Sequence, residues 1–386
     1  MKTETEFKFP KQLFFFLLYL SGLIILSIAI DRIIISRFSE KQFDPGLVFK
    51  PFTRIQFQAI EYEYEVYVNN FGFRDSNARG VLQYAPTNYH RILAIGDSFT
   101  YGWGVEIEDS WPKVLEKILN EQGIEVEVDN LGKPGAGPRE YAEIAERAIP
   151  VLKPELVIVG MLQGDDLAQA KPEEESSEEK EAGSAKTLKH FLAGYIRLIY
   201  PYISSLIARR MTPMINSQSI HQAWRVQSEQ TYLRFNSEQK ARFNLLDDEV
   251  KRLFITGEFN PAVIHIAITD PDYFLELEDL ESAKTKAHIQ EMAMQVGRIK
   301  KIADQFGAKV MVAAIPHRVY VSEADFNTPK RFGFNLDEKM LGSTAMDQAL
   351  GIAAQENGLP FFQFTDQFRS VSKNSRLFFA LDGHLN

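Results

Sequence analysis

Two short stretches hold the side chains that covalent chemistry would need. "GDSFTYG", Gly96 to Gly102, follows the apolar run Ile92 to Ile95 and sets Ser98 in a glycine-flanked turn. A hydroxyl displayed where a buried strand gives way to a helix is a place for a nucleophile, and equally a place for a plain helix cap. A serine that attacks a carbonyl needs a base to take its proton and a carboxylate to orient that base. Of the seven histidines, His384 alone has a carboxylate two residues before it, Asp382 in "DGH". His90 precedes a strand, and His190 and His221 fall in an insertion. His265 and His288 stand in helical or apolar contexts that suit structural roles. His317 follows Pro316 at a strand end, where it would line a pocket.

These residues need a frame, and the apolar pattern supplies one. Strands are expected at 91–96, 126–132, 156–162, 308–316 and 360–364, and helices near 111–121, 138–150, 280–305 and 343–357. Short apolar strands alternating with helices imply a parallel sheet covered on both faces. Ahead of it, "YEYEVYVNNFGFRD" alternates at Tyr62, Tyr64, Val66 and Val68 before an Asn-Asn-Phe-Gly turn, so residues 45–90 read as a β-rich lead-in. The main domain is expected over 91–386, interrupted at about 168–260. There the acidic run Lys171 to Lys186 reads as a solvated loop. Leu188, Phe191, Leu192, Tyr195, Ile196 and Ile199 follow at the spacing of an amphipathic helix ended by Pro201, with a second helix over Ile203 to Met211. Such helices suit a lid, a membrane-hugging element or an insertion packed on the domain. The chain stops at "FFALDGHLN", before the helix an α/β unit adds, so a longer natural protein or a fragment is expected.

Residues 1–44 read as an anchor and linker. Leu13 to Ile30 is 18 residues without a charge, long enough at about 1.5 Å per residue to approach the thickness of a bilayer core. A cleaved signal peptide is the competing reading, with a shorter apolar core and an A-x-A site that are missing here. Lys2, Lys8 and Lys11 against Glu4 and Glu6 favour a cytoplasmic N-terminus and a domain outside the cytoplasm. The 386 residues, 45% of them hydrophobic, suffice for a large core. A net charge of -9 argues against a nucleic-acid surface, and zero cysteines exclude disulfides, thiolate metal sites and a cysteine nucleophile.

"GDSFTYG", "NLGKPGAG" (Asn130 to Gly137), "GDDL" (Gly164 to Leu167) and "DGHLN" (Asp382 to Asn386) stand in the order of the four blocks of the SGNH, or GDSL-type, hydrolase superfamily, which the chain resembles over roughly Asn69 to Asn386. "NNFGFRD" (Asn69 to Asp75) also resembles a segment that precedes the first block in bacterial members. The resemblance implies a flavodoxin-like three-layer α/β/α fold, Ser98 as nucleophile, His384 as general base and Asp382 orienting it, with no cofactor. It also implies an oxyanion hole from the backbone N–H groups of Ser98 and Gly135 and the third-block residue, with Asp97 shaping the turn. Lacking a side chain, Gly135 would let its backbone approach the substrate.

Two departures bear on chemistry. The family places an aspartate three residues before the histidine, where Leu381 stands here; the spacing of Asp382 resembles that of some polysaccharide O-acetyltransferase relatives. The third block offers an asparagine amide to the oxyanion, and Asp165 stands in its place, a charge that would repel the one it should stabilise. Either a protonated Asp165 donates, or Gln163, two residues earlier on the same side of an extended strand, supplies the amide. The function expected is a membrane-anchored, extracytoplasmic serine esterase removing acyl groups, acetyl first, from a cell-envelope carbohydrate. The alternatives are acyl transfer to a glycan hydroxyl by the same serine, and an inert glycan- or protein-binding module. A metal-dependent hydrolase ranks below them, because no histidine-rich ligand set accompanies Asp165 and Asp166.

Overall fold

The computed structural model describes residues 11–39, 41, 43, 45–76, 89–172, 195–211 and 214–386. Lys2 and Lys8, most of the acidic loop, His190, Leu188, Phe191 and Leu192 lie outside the described residues. The chain forms two units: 1–44 with 181–212, and 45–180 with 213–386. The helix Pro201–Met211 of the expected insertion belongs to the first of these units.

In the first unit, a helix over Lys11–Ile33 carries no charged residue from Leu13 to Ile30, and among the described residues it alone is long and apolar enough to cross a membrane. Near its end the buried Asp31 turns its carboxylate to the start of the helix Pro201–Met211, accepting from the Ile203 N–H at 2.7 Å. A carboxylate there satisfies an orphan N–H and meets the positive end of the helix dipole. Ser27 and Tyr200 share a second hydrogen bond of 2.8 Å between the same two segments.

The second unit is built on a nine-stranded sheet of β1 (Arg54–Gln58), β2 (Glu63–Val68), β3 (Arg74–Asp75), β4 (His90–Gly96), β5 (Val126–Asn130), β6 (Leu156–Leu162), β7 (Met214–Asn216), β8 (Lys309–Ile315) and β9 (Phe361–Gln363). The spatial order is β7-β1-β2-β3-β5-β4-β6-β8-β9. The five strands from β5 to β9 pair in parallel. Counted along the chain their order is 2-1-3-4-5, the doubly wound arrangement in which ligands bind beyond the strand ends at the reversal between the first and third strands. That reversal lies between β4 and β6. Ile92, Ala94 and Ile158 face the helix Trp111–Glu121 through Trp111, Leu115 and Leu119. On the other face of the sheet lie the helices Pro138–Leu152, Ala283–Phe306 and Ala345–Glu356, which bury Ile144, Ile149, Val296 and Leu350. The result is three layers, α/β/α.

β1 to β3 continue the same sheet, antiparallel, with β3 paired to β5 through Arg74 and Asn130. The lead-in is thus part of the sheet that carries the site. Its Asn-Asn-Phe-Gly turn is set by Asn69, whose Oδ1 accepts from the N–H groups of Phe71, Gly72 and Phe73.

Candidate active site

Ser98 begins a single helical turn, Ser98–Tyr101, directly after β4. Asp97 caps that turn, accepting from the Phe99 N–H at 2.9 Å. Gly96 is required by close approach: a Cβ there would stand 2.1 Å from Thr100 Oγ1 and 2.7 Å from the Gly160 carbonyl. From β3, the buried Arg74 donates to the carbonyls of Tyr101 at 2.8 Å and Gly102 at 2.7 Å, closing the far end of the turn. Arg74 thereby gives "NNFGFRD" a physical role in seating Ser98.

The C-terminal loop brings His384 and Asp382 to Ser98. Ser98 Oγ lies 2.7 Å from His384 Nε2, and His384 Nδ1 bonds Asp382 Oδ1. Burial alone would raise the Asp382 carboxyl. The facing imidazole and its hydrogen bond, with a further one from the Tyr62 hydroxyl, outweigh burial and hold it below the ordinary carboxylate range. Tyr62 donates to Asp382 Oδ2 at 2.8 Å, and Trp103 Nε1 donates to the Tyr62 oxygen at 2.7 Å. Burial, then the charge of Asp382, keep that phenol protonated and able to donate. The relay therefore runs through five side chains, Trp103, Tyr62, Asp382, His384 and Ser98.

The loop itself is held by charge. Glu61 accepts from the backbone N–H groups of Leu381 at 2.9 Å and Asp382 at 2.7 Å. Arg318 donates to the carbonyls of Ala380 at 2.8 Å and Leu381 at 3.3 Å. Glu61, Tyr62, Trp103, Arg74 and Arg318 escape a reading of the sequence, because each acts on a segment remote along the chain.

On the oxyanion side, the Ser98 N–H is the first of a helical turn and has no intrahelical acceptor. Gly135 lines the same cavity as Ser98 and has a φ of +76°, but a Cβ there would meet nothing within 4 Å. Its glycine suits the left-handed backbone that aims the loop, and the open space beside it leaves the backbone reachable from the cavity. Asp165 starts the turn after β6 and also lines the cavity. Its Oδ1 accepts from the Tyr273 hydroxyl and its Oδ2 from Gln169 Nε2, each at 2.7 Å. Burial raises its carboxyl even so. Close by, burial and then the charge of Asp165 push the Asp97 carboxyl up to about 7.

Gln163 cannot serve the oxyanion. Its two amide hydrogens go to Asp347 Oδ1 and Thr365 Oγ1, each at 2.7 Å, and its oxygen accepts from the His317 N–H at 3.2 Å. The β6 strand has ended one residue before it, so the alternation expected of an extended chain no longer applies. His317 is in the cavity wall, stacked on Phe274 with ring centres 4.9 Å apart. Burial first, then Arg318 and His384, push it down to about 3, so it is a neutral wall residue. Among the described residues no group of three or more His, Asp or Glu side chains is arranged to hold a metal. His90 pairs with Glu155 at 2.8 Å, and His288 with the Leu167 carbonyl at 2.8 Å, both away from Ser98.

Sheet order and site together define a doubly wound α/β protein with a Ser-His-Asp constellation beside the topological switch point. No family model and no curated protein matches the chain. Solved structures to which it is similar include TesA, at 12% identity and TM-score 0.36 over 77% of this chain and 89% of that one. Another is a catalytic mutant of Axe2, an acetylxylan esterase from Geobacillus stearothermophilus, at 10% identity and TM-score 0.33 over 77% and 87%. A third is AlinE4, described as an SGNH-hydrolase family esterase, at 20% identity and TM-score 0.21 over 38% and 74%.

Proposed function

We propose that the protein is a serine ester hydrolase of the SGNH type, held to a membrane by its N-terminal helix. One observation carries this reading: Ser98 Oγ is 2.7 Å from His384 Nε2, whose other nitrogen is bonded to Asp382, and all three line one cavity. In the reaction, Ser98 Oγ bonds to the ester carbonyl carbon as His384 Nε2 takes the hydroxyl proton. The Ser98 and Gly135 N–H groups receive the oxyanion. Collapse breaks the bond to the alcohol oxygen, which leaves with the proton from His384, and Asp382 steadies the imidazolium in between. Water then repeats the sequence on the acyl-enzyme, freeing the acid and restoring Ser98.

An inert binding module has one observation in its favour, the carboxylate of Asp165 at the oxyanion side. The relay through Tyr62 and Trp103 supports the enzyme instead, since a binding cleft has no use for a chain of hydrogen bonds ending on a serine hydroxyl. Labelling with a fluorophosphonate probe separates the two: the wild type is expected to label, and Ser98→Ala not. A folded wild type that resists the probe would overturn the hydrolase reading.

The helix Lys11–Ile33 supports an anchor through Leu13 to Ile30, and Lys2, Lys8 and Lys11 against Glu4 and Glu6 ahead of it favour a catalytic unit outside the cytoplasm. Retention in the membrane after carbonate washing is the expected outcome. A mature soluble chain beginning beyond Ile30 would show a cleaved signal peptide in its place.

A further inference from the structure

The cavity that opens at Ser98 and His384 has a volume of about 590 Å³, far more than an acetyl group fills. Its walls away from the triad are largely apolar. Trp224 comes from the helix Ser217–Arg234, Val263 and Ile266 from the helix Pro261–Thr269, Phe332 from the helix Glu323–Phe332, and Phe274 and Phe334 from loops. Lys171, which also lines it, is exposed, but the more buried polar side chains along it are turned to protein partners. Asp165 binds Tyr273 and Gln169, Asn260 caps its own helix through the Ala262 N–H at 3.0 Å, and Arg318 is bound to the loop carbonyls. A sugar ring seated there would lose hydrogen bonds to water and would have to displace these bonds to regain them, whereas a hydrocarbon chain asks for no partner.

Resting on the esterase reading, we infer that this cavity is an acyl-chain pocket, and that the ester cleaved by Ser98 carries a hydrocarbon acyl group of about eight carbons or more in place of acetyl. The acyl carbonyl sits at Ser98, the chain runs between Trp224, Ile266 and Phe332, and the alcohol leaves toward solvent. The helices Ser217–Arg234, Pro261–Thr269 and Glu323–Phe332 each give apolar side chains to this wall, and the insertion's own share of it is Trp224.

The test is a series of p-nitrophenyl esters, acetate, butyrate, hexanoate and octanoate, given to the full-length protein in detergent. Burying one methylene is worth about 0.8 kcal/mol, so kcat/KM is expected to rise about fourfold per added methylene. Ile266→Trp, which fills the pocket, should cut the octanoate-to-acetate ratio of kcat/KM at least about tenfold. Ile266→Ala, which cannot overpack it, should lower the same ratio by a smaller factor. Acetate turned over as well as octanoate by the wild type would overturn the pocket assignment while leaving the esterase standing. Cleavage of none of the four esters would remove both.

Discussion

The two sides of the cleft are built on different principles. On the Ser98 side the sheet does most of the placing: β4 is buried from Arg91 to Gly96, Asp97, Ser98 and their successors close a helical turn through the Tyr101 N–H to the Asp97 carbonyl at 2.9 Å, and Arg74 from the neighbouring β3 secures its far end. On the base side the sheet does little. The loop carrying Asp382 and His384 closes on itself through the bridge Phe378 to Leu385 and a few backbone bonds such as the Phe379 N–H to the His384 carbonyl at 2.9 Å, and it is tied to the rest of the unit by the side chains of Glu61, Tyr62 and Arg318. A serine is thus placed by a sheet, and a histidine by side chains. Function is therefore brittle in two different ways: substitutions on the first side act on the chemistry, while those on the second act on alignment and can be graded.

The largest effect is expected at the point where the two sides meet. Ser98→Ala and His384→Ala should each lower kcat by about 10⁴-fold or more, since members of a triad act as a unit. Thermal melting of Ser98→Ala should match the wild type, because the turn is held by the Asp97 cap, Gly96 and Arg74 and not by the serine hydroxyl. A Ser98→Ala protein that keeps most of its esterase rate would dissolve the contrast, since the cleft would then have no nucleophile side.

A smaller, graded effect is expected from Tyr62→Phe, which touches only alignment. Tyr62 donates to Asp382 Oδ2 and receives the Trp103 indole N–H. Removing its hydroxyl strips one donor from the carboxylate, which then holds the imidazolium more tightly. The expected outcome is a fall of about tenfold in kcat/KM at pH 7, with the acidic limb of its pH profile moved upward and activity recovering at higher pH. A uniform loss with an unmoved profile would mean that Tyr62 merely packs against Phe57 and Phe379.

The same asymmetry explains what the sequence discloses. The parallel strands are written as apolar runs, and Gly-Asp-Ser at the end of one is a local pattern, so the 2-1-3-4-5 half of the sheet and Ser98 are legible. "DGH" is also local. Glu61 and Tyr62 look like part of a polar alternation, and nothing in "AIEYEY" says that its loop end reaches residues some 320 positions later along the chain. Gln163 misleads for a related reason: alternation is a property of an extended strand, and the strand ends at Leu162. The cavity walls escape as well, because Trp224, Ile266 and Phe332 carry ordinary helical apolar spacing and only the tertiary fold turns them toward Ser98.

The smallest expected effect on rate, and the one that bears most directly on how the two sides differ, is Asp165→Asn. Both carboxylate oxygens already accept, from Tyr273 and from Gln169, and an asparagine keeps the bond from Tyr273 through its oxygen while Gln169 can rotate its amide to accept from the new NH₂ group. Burial raises the Asp165 carboxyl, so the proton is retained above the ordinary range and lost as pH rises. The neutral acid does not oppose the oxyanion; the carboxylate does. Asp165→Asn is therefore expected to match the wild type within about threefold at the acidic end of the pH profile and to gain on it as pH rises. The substitution also removes a charge that helps push Asp97 up to about 7. A raised acid stabilises the fold at low pH, and that contribution is lost as pH climbs from the ordinary value of 3.8 through about 7, so the variant should lose less of its melting temperature between pH 5 and 8 than the wild type does. If Asp165→Asn instead abolishes turnover while melting normally, the negative charge is itself required. The nucleophile side would then depend on a carboxylate for its chemistry, as the base side does on Asp382.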